Sequence, residues 1–89
     1  MLIRSQDKTE LINLSNIIRI SVECKSVTVE AINEIPRTIG YYSSGEKALK
    51  VLDKIENTYV RFQQRYGSST SNMDCVFVMP QEDEIWSLK

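Results

Sequence analysis

The sequence predicts an α+β fold: an antiparallel meander of four or five strands, a C-terminal strand, and one long amphipathic helix (about 44–66) packed on one face. Three observations carry this prediction. Apolar and polar residues alternate over 17–23 and again over 27–31, which is the period of a half-buried strand. The period then changes. Ala48, Leu52, Ile55, Tyr59, Phe62 and Tyr66 are spaced 4, 3, 4, 3 and 4, one stripe along a helix. A dense apolar run over 75–79 follows, closed by Pro80.

The elements follow in order. Residues 2–5 and 11–14 are short strands around the polar turn Gln6-Asp7-Lys8-Thr9, where Asp can bond its own backbone. In 17–23, Ile18, Ile20 and Val22 point inward and Arg19, Ser21 and Glu23 outward. Cys24-Lys25-Ser26 is a turn. Val27, Val29 and Ala31 are the next inward set, and the loop at 33–36 holds Pro36, which disfavours a central strand. Residues 37–42 are β-rich. Connections this short cannot cross over to parallel strands, so the run reads as a meander.

Ser43 with Glu46 three residues on forms a capping box for the helix start. Gly67 directly after Tyr66 is the stop signal. The charged and amide side chains of 47–64 fall mostly on the face opposite the stripe, as a solvated face requires. The run at 75–79 reads as a buried strand returning to the sheet. Residues 1–80 make the domain. Residues 81–89 make a tail, acidic at 82–84 and then apolar at Ile85, Trp86 and Leu88.

Composition narrows function mostly by exclusion. The chain has 89 residues, enough for one domain with a thin core. A net charge of −1 offers no bulk attraction to nucleic acid or anionic lipid. No apolar stretch approaches the roughly 20 residues that span a bilayer. The first ten residues are charged rather than signal-like, so a cytoplasmic location is expected. Cys24 and Cys75 are expected to be reduced, buried and inert. The absence of histidine removes the commonest general base, the His-dependent nucleophile systems and His-based zinc sites. Asp53 and Glu56 sit on the solvated helix face and make poor acid/base candidates. The expectation is a non-enzymatic protein without cofactor or metal.

Two sets of residues could bind a partner. The first is apolar: Trp86, Ile85 and Leu88 in the tail, with Ile17, Ile32 and Leu11 on a sheet face that the single helix leaves uncovered. It predicts a protein partner, foremost a second copy in a homodimer, and no membrane. The second set is Arg19, Arg37 and Tyr41, where basic residues beside an aromatic could contact nucleic acid. A small nucleic-acid-binding accessory protein is the alternative reading.

The stretches LIRSQDKTELINLSNIIRI and IGYYSSGEKALKVLDKI also resemble a group of short uncharacterised bacterial proteins, often associated with prophage or mobile elements. These share an IRSQD-type start and a strand-to-helix junction of the form GxYxSxEKALxVLDxI. The resemblance covers about two thirds of the chain, from Leu2 to roughly Ile55. It implies a shared fold and brings no activity or site residue with it.

Overall fold

The computed structural model describes residues 1–66 and 76–87. Its strands are β1 (Leu2–Arg4), β2 (Leu11–Asn13), β3 (Ile17–Glu23), β4 (Ser26–Ala31), β5 (Arg37–Tyr41) and β6 (Val76–Val78). Helix α1 spans Gly45–Tyr66, and 3-10 segments lie at Leu14–Asn16 and Glu82–Ser87. Gly67 and Cys75 lie outside the described residues. The fold is α+β. Among the described residues the strands do not form one sheet, however, but two of three strands each, ordered β2-β1-β6 and β3-β4-β5.

Local chemistry explains the division. The Asn13 side chain accepts from the Ser15 amide at 3.1 Å and the Ser15 hydroxyl at 2.8 Å. That bends the chain into the 3-10 turn instead of letting β2 run on into β3. β3, β4 and β5 then form an antiparallel meander. β6 pairs parallel to β1. It follows the long helix, so its connection is long enough to return a strand in the same direction.

Gln6 ties the two sheets together. Its amide donates to the Ile39 carbonyl at 2.8 Å, and its side-chain oxygen accepts from the Tyr41 amide at 2.8 Å. Its own carbonyl accepts from the Gln81 side chain at 2.8 Å. One residue of the β1–β2 turn thus holds the outer edge of β5 and the C-terminal segment. The turn is rigid on its own account. Asp7 accepts from the Ser5 hydroxyl at 2.7 Å and from the Thr9 amide and hydroxyl at 3.1 and 2.8 Å.

Helix α1 packs against β3, β4 and the 82–87 segment. Ala48, Val51, Ile55 and Phe62 are buried, while Tyr59 is exposed together with Leu49 and Val60. The buried stripe is therefore rotated toward Val51 relative to the predicted one. The cap also shifts by one residue. The Ser44 carbonyl accepts the first helical bond from Ala48, and the Ser44 hydroxyl accepts from the Lys47 amide, both at 3.3 Å. Ser43 is engaged by Glu82 instead. Gly45, the first helical residue, lets the Cys24 carbonyl approach closely: a Cβ there would lie 3.2 Å from that oxygen.

Three further expectations are corrected. Ile18 is exposed, because the register slips between Ile17 and Arg19 and one extra residue bulges outward. Cys24 is exposed rather than buried, at φ 58 in a two-residue hairpin turn. The tail does not begin at residue 81. Ile85 is fully buried in the same core as Ile3, Val27, Val51 and Met79, so the 82–87 segment belongs to the domain.

Tyr42 fastens that segment. It is fully buried, and its hydroxyl donates to the Pro80 carbonyl at 2.9 Å. Gly40 makes room for it: a Cβ there would come within 3.0 Å of the Tyr42 ring and 2.9 Å of the Met79 methyl. Replacing Tyr42 with Phe keeps the ring but leaves the Pro80 carbonyl unpaired, a loss of about 1–3 kcal/mol. Urea unfolding of Tyr42→Phe should show that loss at unchanged denaturant slope. A variant as stable as the wild type would contradict the account.

Candidate functional site

The strand register defines the most distinctive surface. Ile3 of β1 lies opposite Ile12 of β2 and Phe77 of β6. Directly opposed residues share a face, and this one joins the core, where Ile3 and Phe77 are buried and Ile12 is half-buried. Leu2, Leu11, Val76 and Val78 therefore share the other face with Arg4 and Asn13. Leu11, Val76 and Val78 are 52%, 44% and 48% exposed, and Leu2 is half-buried. The Arg4 guanidinium donates to the Lys8 carbonyl at 2.9 Å, and Asn13 caps the adjoining turn. The outer face is thus mostly apolar, with its two polar side chains engaged locally.

Sequence reasoning reached only part of this face. Leu11 was expected on an uncovered sheet face. Val76 and Val78 were expected to be buried, because an apolar run looks the same in a strand enclosed on both sides as in one lying at a sheet edge. What separates them is the alternation: Phe77 and Met79 turn inward and the two valines outward.

A second feature adjoins the first. A cleft of about 190 Å³ lies between β2 and the β4–β5 region, lined in part by Ile12, Ile17, Val29, Ala31 and Ile35. Ile17 is half-buried at its wall, and Ile35 is 86% exposed. Ile32, in the same connection as Ile35, is also exposed. Arg37 lines the cleft and pairs with Glu10.

The remaining expected residues separate. Ile85 is enclosed in the core and offers no side-chain surface to a partner. The Trp86 side chain and Leu88 lie outside the described residues. Arg19 and Tyr41 share the outer face of the β3-β4-β5 sheet, but on opposite edge strands. Their register places them about 10 Å apart across the sheet and about 13 Å along it. Arg19 pairs with Glu30 on that face, where Glu23 also lies. Arg37 is opposite Val29, on the other face. The three do not form a patch.

Glu82 takes an unforeseen place at the helix start. Its carboxylate accepts from the Ser43 amide at 2.7 Å and the Ser43 hydroxyl at 2.9 Å, and pairs with Lys47. A carboxylate is favoured at this positive end of the helix dipole. The Lys47 ammonium, then Ser43, holds Glu82 below the usual carboxylate range. The Ser5 hydroxyl, then Thr9, does the same for Asp7.

Comparison with known proteins finds no matching family model, curated protein or solved structure. Among the described residues no helix is long and apolar enough to cross a membrane.

Folding lowers the pKa of Glu82 and Asp7. Their contribution is therefore fully present above the ordinary carboxylate range and is lost as pH falls below that range through the lowered folded-state values. Between about pH 7 and about pH 3, the urea midpoint of Glu82→Gln should fall less than that of the wild type, since the variant has no carboxylate left to protonate. An equal fall in both proteins would show that Glu82 is not coupled to folding.

Proposed function

We propose that the chain is a non-enzymatic protein-interaction module that self-associates in the cytoplasm, two copies meeting through the outer faces of their β2-β1-β6 sheets. The observation that carries this reading is the convergence of Leu2, Leu11, Val76 and Val78, from three strands, on one face that no other described element covers. Two such faces are self-complementary, as a two-fold dimer requires. They would stack about 10 Å apart, like the sheets of a sandwich. The resemblance to prophage-associated proteins adds an origin in a phage or mobile element to the proposal.

Magnitudes set the strength. Covering one half-exposed Val or Leu contributes about 1 kcal/mol, so the eight side chains of a dimer give about 8 kcal/mol. Association itself costs about 4–15 kcal/mol. The expected dimer is weak, and it must be sought at high micromolar concentration. The nucleic-acid alternative has less support, since Arg19 and Arg37 are each paired with a carboxylate and lie on different faces.

Sedimentation equilibrium at about 100–500 µM should show the wild type moving from monomer toward dimer mass, with Val78→Lys held at monomer mass. Val78 is half exposed, so the variant should fold normally. A wild type that stays monomeric over this range would overturn the proposal.

A further inference from the structure

The edge of β2 is a second, independent place for a partner. Among the described residues β2 ends its sheet, with β1 on one side and no strand on the other. The Ser5 amide bonds to the Glu10 carbonyl, and the Leu14 amide bonds to the Met1 carbonyl, both at 3.0 Å. Ile3 lies opposite Ile12 between them. In an antiparallel ladder bonded pairs alternate. Glu10, Ile12 and Leu14 therefore turn their backbone groups toward β1. Leu11 and Asn13 turn theirs away, to the free edge. That edge opens on the cleft of about 190 Å³, whose far wall is apolar at Val29, Ala31 and Ile35.

These features specify an occupant. Leu11 offers an outward amide and carbonyl and Asn13 an outward amide, its carbonyl serving the Leu14–Asn16 turn that it caps, and these match a strand of about three to five residues lying alongside them. The wall suits alternate apolar side chains. One charge is uncommitted: Glu34 lines the cleft, and among the described residues no ion pair engages its carboxylate, whereas Arg37 is already paired with Glu10. We propose that the free edge of β2 and its cleft take an extended peptide segment of another protein, added as a strand, with alternating apolar side chains and a basic residue directed at Glu34. A second copy of this chain fits less well, because its own β2 edge carries Asn13 and Leu11 and brings no cation to Glu34. The inference does not rest on self-association, which uses the side chains of the outer face rather than this edge.

The test is an NMR titration of the full chain with the acetylated, amidated peptide TVKVT, up to about 1 mM. The Leu11 and Asn13 amide signals should shift, and their hydrogen exchange should slow by about tenfold at saturation. The same peptide N-methylated at alternate residues should not bind. Glu34→Lys should reverse the preference from TVKVT to TVEVT. Repeating the titration on Val78→Lys separates the two proposals, since peptide binding should survive there whatever becomes of the dimer. Unmoved Leu11 and Asn13 signals, or equal binding of the N-methylated peptide, would overturn the inference. So would shifts of these signals with protein concentration alone, which would assign the edge to a second copy.

Discussion

The hydroxyl of Tyr42 sits in the interior with the Pro80 carbonyl as its partner, 2.9 Å away. Burial first, then the nearby carboxylates of Glu82 and Glu84, raises the pKa of this phenol. It therefore stays protonated and able to donate throughout the ordinary pH range. The contact joins β5 to the segment that follows β6, across 38 positions of sequence. Around it, the Met79 amide donates to the Arg4 carbonyl at 3.0 Å, Ile85 enters the core, and Glu82 reaches the helix start. If this segment came away, β1 would lose one of its two neighbours and the core would lose three large side chains: Phe77, Met79 and Ile85.

The same attachment creates the surfaces that the functional reading uses. β6 is held on β1 with Phe77 inward, so Val76 and Val78 must face out. Among the described residues the sheet has three strands and one covered face, and its second face is apolar. Apolar residues scattered singly on a surface need no explanation, and it is the grouping of these residues from adjacent strands that the proposed contact rests on. Gln6 and the Asn13-capped turn fix how this sheet meets the other, and the cleft at the β2 edge follows from that junction.

Much of the architecture was legible in the sequence because it is local. Alternation over 17–23 and 27–31 located β3 and β4, and the change of period located the helix to within a residue at its start. The departures come from interactions that a local pattern cannot carry. Ser43 and Ser44 are both good caps, and the choice falls to Ser44 because Glu82, far along the chain, takes Ser43. The bulge at Ile18 leaves no compositional mark. Ile85 follows three acidic residues and so resembles a solvated tail, although it lies in the core. The apolar candidates Ile17, Ile32 and Leu11 do not share one sheet face as expected: Leu11 lies on the outer face of the first sheet, Ile17 is half-buried at the cleft wall, and Ile32 is exposed in the β4–β5 connection. The outward valines of β6 were missed because nothing local separates them from Phe77.

The central claim is that residues 76–87 are an integral part of the domain and complete its first sheet. Native-state hydrogen exchange at low concentration tests this most directly. Opening of an integral segment requires global unfolding, so the Phe77 and Met79 amides, which face β1, should exchange with the same free energy as the Val27 and Val29 amides of the buried strand β4. If the Phe77 and Met79 amides exchanged orders of magnitude faster while β4 stayed protected, the segment would be a detachable tail. The Tyr42 contact would then not be what holds the structure together.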